Sequence, residues 1–317
     1  AAMRRPVVRA DWSGREDAAD GPGARRWHQA VRPRDVAASR IALIGFACDA
    51  GVARNNGRAG AAAGPGALRR ALANVPVHDL AEVDDLGDVT CAGDALEQAQ
   101  AEFAGLVSAA VAGGAVPLGL GGGHEIAYAS YLGLAGAATP GSSIGILNFD
   151  AHFDLRADPR ASSGTPFRQA LEHGAAGGRR VEYLCIGVSR FANTAALYDR
   201  ARSLGVRWVP DEDVRADRFD ALRDEVAGLL SRVDHLYLTV CLDVFPAAVA
   251  PGVSAPAALG VDPALVERLV DVAVGSGKLR VADVAELNPK FDIDSRSARL
   301  GARLLARIAE GVVQRRS

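Results

Sequence analysis

Ser142-Ser143-Ile144-Gly145-Ile146-Leu147-Asn148-Phe149-Asp150-Ala151-His152-Phe153-Asp154 decides the fold. Its uncharged opening, 142–147, reads as a strand buried on both faces, the kind that parallel sheets use. Three side chains able to ligate a metal follow as that strand ends. In an extended chain, residues two apart share a face, so Asp150, His152 and Asp154 converge on one side. Carboxylate, imidazole and carboxylate form a hard-to-borderline donor set that suits Mn²⁺, Fe²⁺ or Zn²⁺ better than Cu⁺ or Ca²⁺. The competing reading is an ordinary polar exit from the strand, built as an Asx-turn.

The same design recurs on both sides of this stretch. Upstream, Ala115-Val116-Pro117-Leu118 runs into Gly119-Leu120-Gly121-Gly122-Gly123-His124-Glu125. The glycines let the backbone turn sharply and approach an ion or a neighbouring strand. His124 then opens a helix expected over 126–134, with its imidazole free to ligate metal. A phosphate-binding loop fits less well, because no Lys-Ser/Thr pair follows and the spacing is not GxGxxG. Downstream, Leu238-Thr239-Val240-Cys241-Leu242-Asp243 is an apolar strand ending in two potential ligands two residues apart, Cys241 and Asp243. The Pro- and Gly-rich stretch 246–256 after it must be an ordered loop.

Apolar strands alternate with amphipathic helices along the chain. Strands are expected at 41–46, 116–120, 144–149, 183–188, 206–209, 236–242 and 281–286. Helices are expected at 65–73, 94–112, 193–204, 217–230, 263–274 and 295–313. This alternation predicts an α/β fold: one three-layer α/β/α domain over 41–317 with a doubly wound, mostly parallel sheet. Residues 1–40, rich in Arg and Gly, read as an N-terminal arm. In such sheets sites form at the carboxyl ends of strands, and His124, Asp150, His152, Asp154, Cys241 and Asp243 all lie at such ends.

Composition narrows the classes. A chain of 317 residues, 49% hydrophobic, can bury a large core. The net charge of −2 and the lack of a basic stripe exclude a nucleic-acid partner. The four cysteines have no CxxC spacing and read as reduced thiols of a cytoplasmic protein. The Arg-rich start carries no apolar run, so no signal peptide is expected. The uncharged runs 103–123 and 126–149 are broken by Gly, Pro or Ser clusters, so no membrane span and no membrane partner are expected.

With these three segments in order, the chain resembles the arginase/agmatinase (ureohydrolase) superfamily, whose motifs are GGxH, DAHxD and SxDxDxxDPxxxPG. The first two match without a gap at His124, Asp150, His152 and Asp154. The third matches in register through Pro251-Gly252, with departures: Thr239 stands for the Ser, Cys241 for the first Asp, and Pro246-Ala247 for the Asp-Pro pair. Within the superfamily the chain is similar to the formimidoylglutamase branch. The similarity rests on Trp12-Ser13-Gly14-Arg15-Glu16-Asp17, Arg26-Trp27-His28, Asn56-Gly57-Arg58-Ala59-Gly60, Asp154-Leu155-Arg156, Ser162-Ser163-Gly164-Thr165-Pro166-Phe167 and 250–256. Ser163-Gly164-Thr165-Pro166 replaces the arginase segment that carries a catalytic His, which argues against plain arginase activity.

The resemblance implies metal-dependent hydrolysis of N-formimidoyl-L-glutamate to L-glutamate and formamide. It implies a binuclear Mn²⁺ site, one ion held by His124, Asp150 and Asp154 and the other by Asp150, His152 and Asp243. Cys241 stands where the superfamily has a bridging carboxylate. As a thiolate it would tilt the site toward Zn²⁺ or Fe²⁺; as a packed neutral thiol it would leave one ion weak or absent. Asp150, Asp243 and Glu286 are the expected catalytic groups. Glu286, in a segment resembling ExNP, would bind the cationic amidine. The substrate's carboxylates call for arginines, which grip them bidentately. Arg156 is the first choice, with Arg58, Arg168, Arg190, Asn193, Ser163 and Thr165 as further contacts. The partner is a small acidic amidine, and a homo-oligomer is expected. Two other functions fit parts of the pattern: a ureohydrolase acting on a guanidino acid or agmatine, and a metal-poor binding homologue.

Overall fold

Strands without charge stack side by side because both of their faces can be covered by helices. The computed structural model describes residues 3–7 and 9–315; residues 1, 2 and 8 of the expected arm, and 316 and 317 of the expected domain, lie outside them. The strands are β1 (Met3–Arg5), β2 (Val31–Pro33), β3 (Ile41–Ala47), β4 (Val83–Thr90), β5 (Val116–Gly121), β6 (Ile144–Phe149), β7 (Val181–Val188), β8 (Arg207–Pro210), β9 (His235–Cys241) and β10 (Leu279–Ala285). They form one sheet in the order β1-β4-β3-β5-β10-β9-β6-β7-β8, with β2 also paired to β4. Every pairing is parallel except β1 with β4.

The helices are α1 (Trp27–Ala30), α2 (Ala50–Arg54), α3 (Gly64–Ala73), α4 (Leu96–Ala112), α5 (Ile126–Ala137), α6 (Pro166–Ala176), α7 (Ala195–Ser203), α8 (Phe219–Arg232), α9 (Pro263–Gly275) and α10 (Arg296–Gln314). Leu68 and Leu72 of α3, Leu229 of α8, Leu269 of α9 and Leu304 of α10 build the core on one face of the sheet. Phe103 of α4, Tyr131 of α5, Phe167 of α6 and Leu197 of α7 build it on the other. This is the expected three-layer α/β/α arrangement.

Several elements depart from the sequence reading. β4, Val83-Asp84-Asp85-Leu86-Gly87-Asp88-Val89-Thr90, lies outside the expected strands and is largely buried. Its acids are matched by distant partners: Asp84 accepts from the Ala38 and Ser39 N–H groups, and Asp85 pairs with Arg69 at 2.8 Å. The helices α2 and α6 were also not expected. Within 1–40, β1 and β2 join the sheet, Trp27 is wholly buried, and the Trp12 indole donates to Asp85 at 2.7 Å.

The site follows from strand order. β5, β10, β9 and β6 are consecutive at the centre of the sheet, and all four point their carboxyl ends the same way. The segments carrying His124, Glu286, Cys241–Asp243 and Asp150–Asp154 therefore emerge beside one another.

Candidate metal centre and substrate cavity

His124 reaches the centre because the glycines before it let the chain fold tightly. A Cβ at Gly122 would lie 2.3 Å from the Phe46 carbonyl oxygen, closer than any side chain allows. The His124 Nδ1 atom then stands 2.9 Å from Asp150 Oδ2 and 2.9 Å from Asp154 Oδ2. The His152 Nδ1 atom stands 3.2 Å from Asp243 Oδ2 and 3.4 Å from Asp150 Oδ1. Asp150 thus lies between the two imidazoles. Two overlapping donor sets result: His124, Asp150 and Cys241, and Asp150, His152 and Asp243. Asp150 is wholly buried, and His124, Cys241 and Asp243 nearly so.

Two of the backbones here are unusual. Asp154 has φ 51° and Glu286 φ 71°, left-handed values that non-glycine residues adopt at a cost of about 1 kcal/mol or more. Each turns the chain back at the end of its segment. Glu286 is fixed further by the His124 N–H, which donates to its Oε1 at 2.7 Å.

The electrostatics call for cations. Burial pushes the Asp243 and Glu286 carboxyls up, with Asp150 adding to the effect on Asp243 and Glu125 to that on Glu286. Burial and the Asp150 charge push Asp154 up to about 6. Burial, and then the same Asp150 charge, raises the Cys241 thiol. For Asp150 burial is outweighed by the adjacent His124 and His152 imidazoles, which hold it below the usual range. Burial likewise opposes the charged forms of both imidazoles, and the surrounding carboxylates override it and raise them. His124 Nδ1 and Asp243 Oδ1 are buried without a hydrogen-bond partner. Acceptors crowded together, with orphaned donor atoms aimed inward, are the surroundings a divalent ion satisfies. The donor set fits the implied metal.

A cavity of about 310 Å³ opens above this cluster. His124, His152, Asp154, Cys241, Asp243 and Glu286 lie against it, with Arg58, Arg156, Ser163 and Asn193. The expected contacts differ in what they offer. No described carboxylate pairs with the Arg156 guanidinium, which is free for an anion. Arg58 is already engaged, donating to the Val253 and Ser254 carbonyls and lying 3.8 Å over the Phe291 ring. Ser163 accepts from Asn55 at 3.1 Å and keeps its own hydroxyl hydrogen. The Asn193 amide is spent on backbone, bonding Phe153 N, Ala151 O and Ser189 O, so it shapes the Asp150–Asp154 segment.

Three candidates do not reach the cavity. Thr165 is buried at the start of α6, its hydroxyl taken by Ser162 and Gln169. Arg190 faces a neighbouring surface cavity with Tyr198, Arg202 and Trp208. Arg168 donates to the Arg156 carbonyl and pairs with Glu172 at 2.6 Å. Sequence reading missed Asn55 and Ser254, which also line the cavity. Asn55 abuts the quoted Asn56-Gly57-Arg58 segment, and Ser254 lies inside 250–256; side-chain direction in a loop is not written in local sequence.

Residues 39–310 match the arginase family, and the chain belongs to it. Individual members that the chain resembles narrow the comparison. The formimidoylglutamase of Ralstonia nicotianae is 54% identical over 308 residues, covering 95% of each chain. The crystal structure of Trypanosoma cruzi formiminoglutamase with Mn²⁺ superposes with a TM-score of 0.78 at 28% identity, covering 87% of this chain and 94% of that one. Formimidoylglutamase from Bacillus subtilis gives a TM-score of 0.83 at 21% identity, with 95% and 94% covered, and shares the fold.

Proposed function

We propose that the chain hydrolyses N-formimidoyl-L-glutamate with water to L-glutamate and formamide. The observation that carries this reading is one cavity with a buried acid–imidazole cluster on its floor and an unpaired guanidinium, Arg156, on its wall. The first suits an amidine carbon and the second a carboxylate tail. The relatives named formimidoylglutamase support the same substrate.

His124, Asp150 and Asp154 would hold one divalent ion, and Asp150, His152 and Asp243 the other, with Cys241 as a further ligand. Mn²⁺ is the expected metal, and the Cys241 thiol favours Zn²⁺ or Fe²⁺ as competitors. Such a pair, when bound, supplies an activated water at neutral pH. The protein's own groups do the rest. Glu286 faces a cationic amidine: its carboxyl is pushed up by burial and Glu125, and a cation beside it restores the charged form. Arg156 takes a tail carboxylate, and Ser163 can donate to a substrate oxygen. Together they hold the amidine carbon over the floor of the cavity.

None of the described helices is long and apolar enough to cross a membrane. All four cysteines are free thiols, which supports a reducing, cytoplasmic setting. The homo-oligomeric state is part of the same reading, and light scattering on the purified protein measures it. The deciding experiment compares formamide release from N-formimidoyl-L-glutamate with urea release from arginine and agmatine, in Mn²⁺. Formamide should dominate; a preference for urea would select the ureohydrolase alternative, and no release from any substrate the binding homologue.

A further inference from the structure

A second polar cluster lies behind the first, away from the cavity. Asp283 on β10 is wholly buried, and so are Ser130, Tyr237 and Thr239. Its Oδ2 accepts from Tyr237 OH at 2.6 Å and from Ser130 Oγ at 2.7 Å. The β9–β10 register places Thr239 directly beside Asp283. The Thr239 Oγ1 atom lies 3.0 Å from His124 Nε2. Thr239 therefore stands between Asp283 and the ring nitrogen of His124 that faces away from Asp150 and Asp154.

The backbone makes room for this carboxylate. Gly119 of β5 pairs with Asp283, and a Cβ at Gly119 would lie 2.8 Å from the Asp283 Cβ. A buried acid at the middle of a sheet is costly unless hydrogen-bonded, and this one has two good donors. Its Oδ1 remains buried outside hydrogen-bond geometry. Thr239 is the neighbouring hydroxyl that can turn its hydrogen toward the carboxylate.

The direction of the hydrogen bonds follows from the donors available. A hydroxyl has one hydrogen and two lone pairs. With that hydrogen toward Asp283, Thr239 Oγ1 can only accept from His124, so Nε2 carries the proton. Nδ1, the atom between Asp150 and Asp154, is then left with its lone pair exposed.

We propose that Asp283, acting through Thr239, is a positioning residue that fixes the His124 tautomer and ring orientation for metal binding. Tyr237 and Ser130 hold the carboxylate at the end of the relay. The inference rests on the metal-dependent reading above and adds to it Asp283, Tyr237 and Ser130, which lie outside the three ligand motifs. Outer partners of this kind typically change metal affinity by about 10–100-fold.

The test is Mn²⁺ titration of the full chain, following free ion by its paramagnetic resonance signal, with thermal melting of the same metal-free samples. Wild type should bind two ions per chain. Thr239→Val, nearly isosteric, should weaken one of them by about 10-fold or more. Thr239→Ser, which keeps the hydroxyl, should restore affinity to within about threefold of wild type. Tyr237→Phe should show a smaller loss in the same ion. Asp283→Asn tests the end of the relay, and if it does not fold, the Thr239 and Tyr237 variants decide. A merely structural role predicts lowered melting temperature with both affinities unchanged, and that result would overturn the proposal. Equal weakening by Thr239→Ser and Thr239→Val would overturn it too. Wild type that binds no Mn²⁺ would overturn both this inference and the metal-dependent reading.

Discussion

Arg156→Ala removes the free guanidinium on the cavity wall. Arg58, which also lines the cavity, is tied to Val253, Ser254 and Phe291, so it cannot swing in without breaking those contacts. A hydrogen bond to a charged group contributes about 1.5–3 kcal/mol. Arg156 is exposed, and solvent screening favours the lower end, about 1.5 kcal/mol. That corresponds to roughly a tenfold rise in KM, since 1.4 kcal/mol is a factor of ten. A tail contact is made equally in ground and transition states, so kcat should stay within about twofold. Steady-state formamide release over a range of substrate concentrations measures both constants, and Arg156→Lys should recover part of the KM. A tenfold fall in kcat with KM unchanged would refute the assignment, because it would mean that Arg156 acts on the reacting amidine.

Asp150→Ala, which removes the carboxylate shared by both imidazoles, should abolish hydrolysis and lower bound metal, measured by elemental analysis, while circular dichroism stays native. Cys241 should react slowly with an alkylating agent in the metal-loaded protein and quickly after chelation, and Cys241→Ser should bind one ion more weakly; two tightly bound ions in that variant would make Cys241 a packing residue. The pKa of His235, at the start of β9, is lowered from 6.5 by burial and the Arg280 charge. Its neutral form thus contributes stability above about pH 6.5 that is lost as pH falls through the lowered folded value. His235→Gln should lose less stability than wild type between about pH 7 and 5 in urea melts, and an identical loss would remove His235 as a cause of acid sensitivity.

The sheet's centre was legible because its strands need no compensation. Ile144–Phe149 is uncharged, buried on both faces, and flanked by strands of the same kind. β4 was not legible for the opposite reason. Asp84, Asp85 and Asp88 announce solvent, and only the folded chain brings Arg69, Trp12 and the 38–39 backbone to them. The candidate ligands could be read because strands ending at one edge of the sheet carry them; their final convergence comes from the turns beyond β6 and β9, with Asp154 at φ 51°, and not from strand alternation. Contacts borne on loops have no such strand to place them: the Thr165 hydroxyl turns inward to Ser162 and Gln169, and Arg190 turns to a different cavity, although each lies two residues from one that lines the site.

The order β5-β10-β9-β6 places the last two strands made between two that were made much earlier. During synthesis, the parts containing β3 to β5 and β6 to β8 exist before anything can join them. Their inner edges must wait, unpaired, until β9 and β10 have been made. His124 and Asp150 meet their remaining partners only when Cys241, Asp243 and Glu286 have left the ribosome. The enzyme thus has no partial activity to display while it is being made, and a polypeptide truncated before β9 would expose two open strand edges in place of its centre, a form prone to aggregation and degradation.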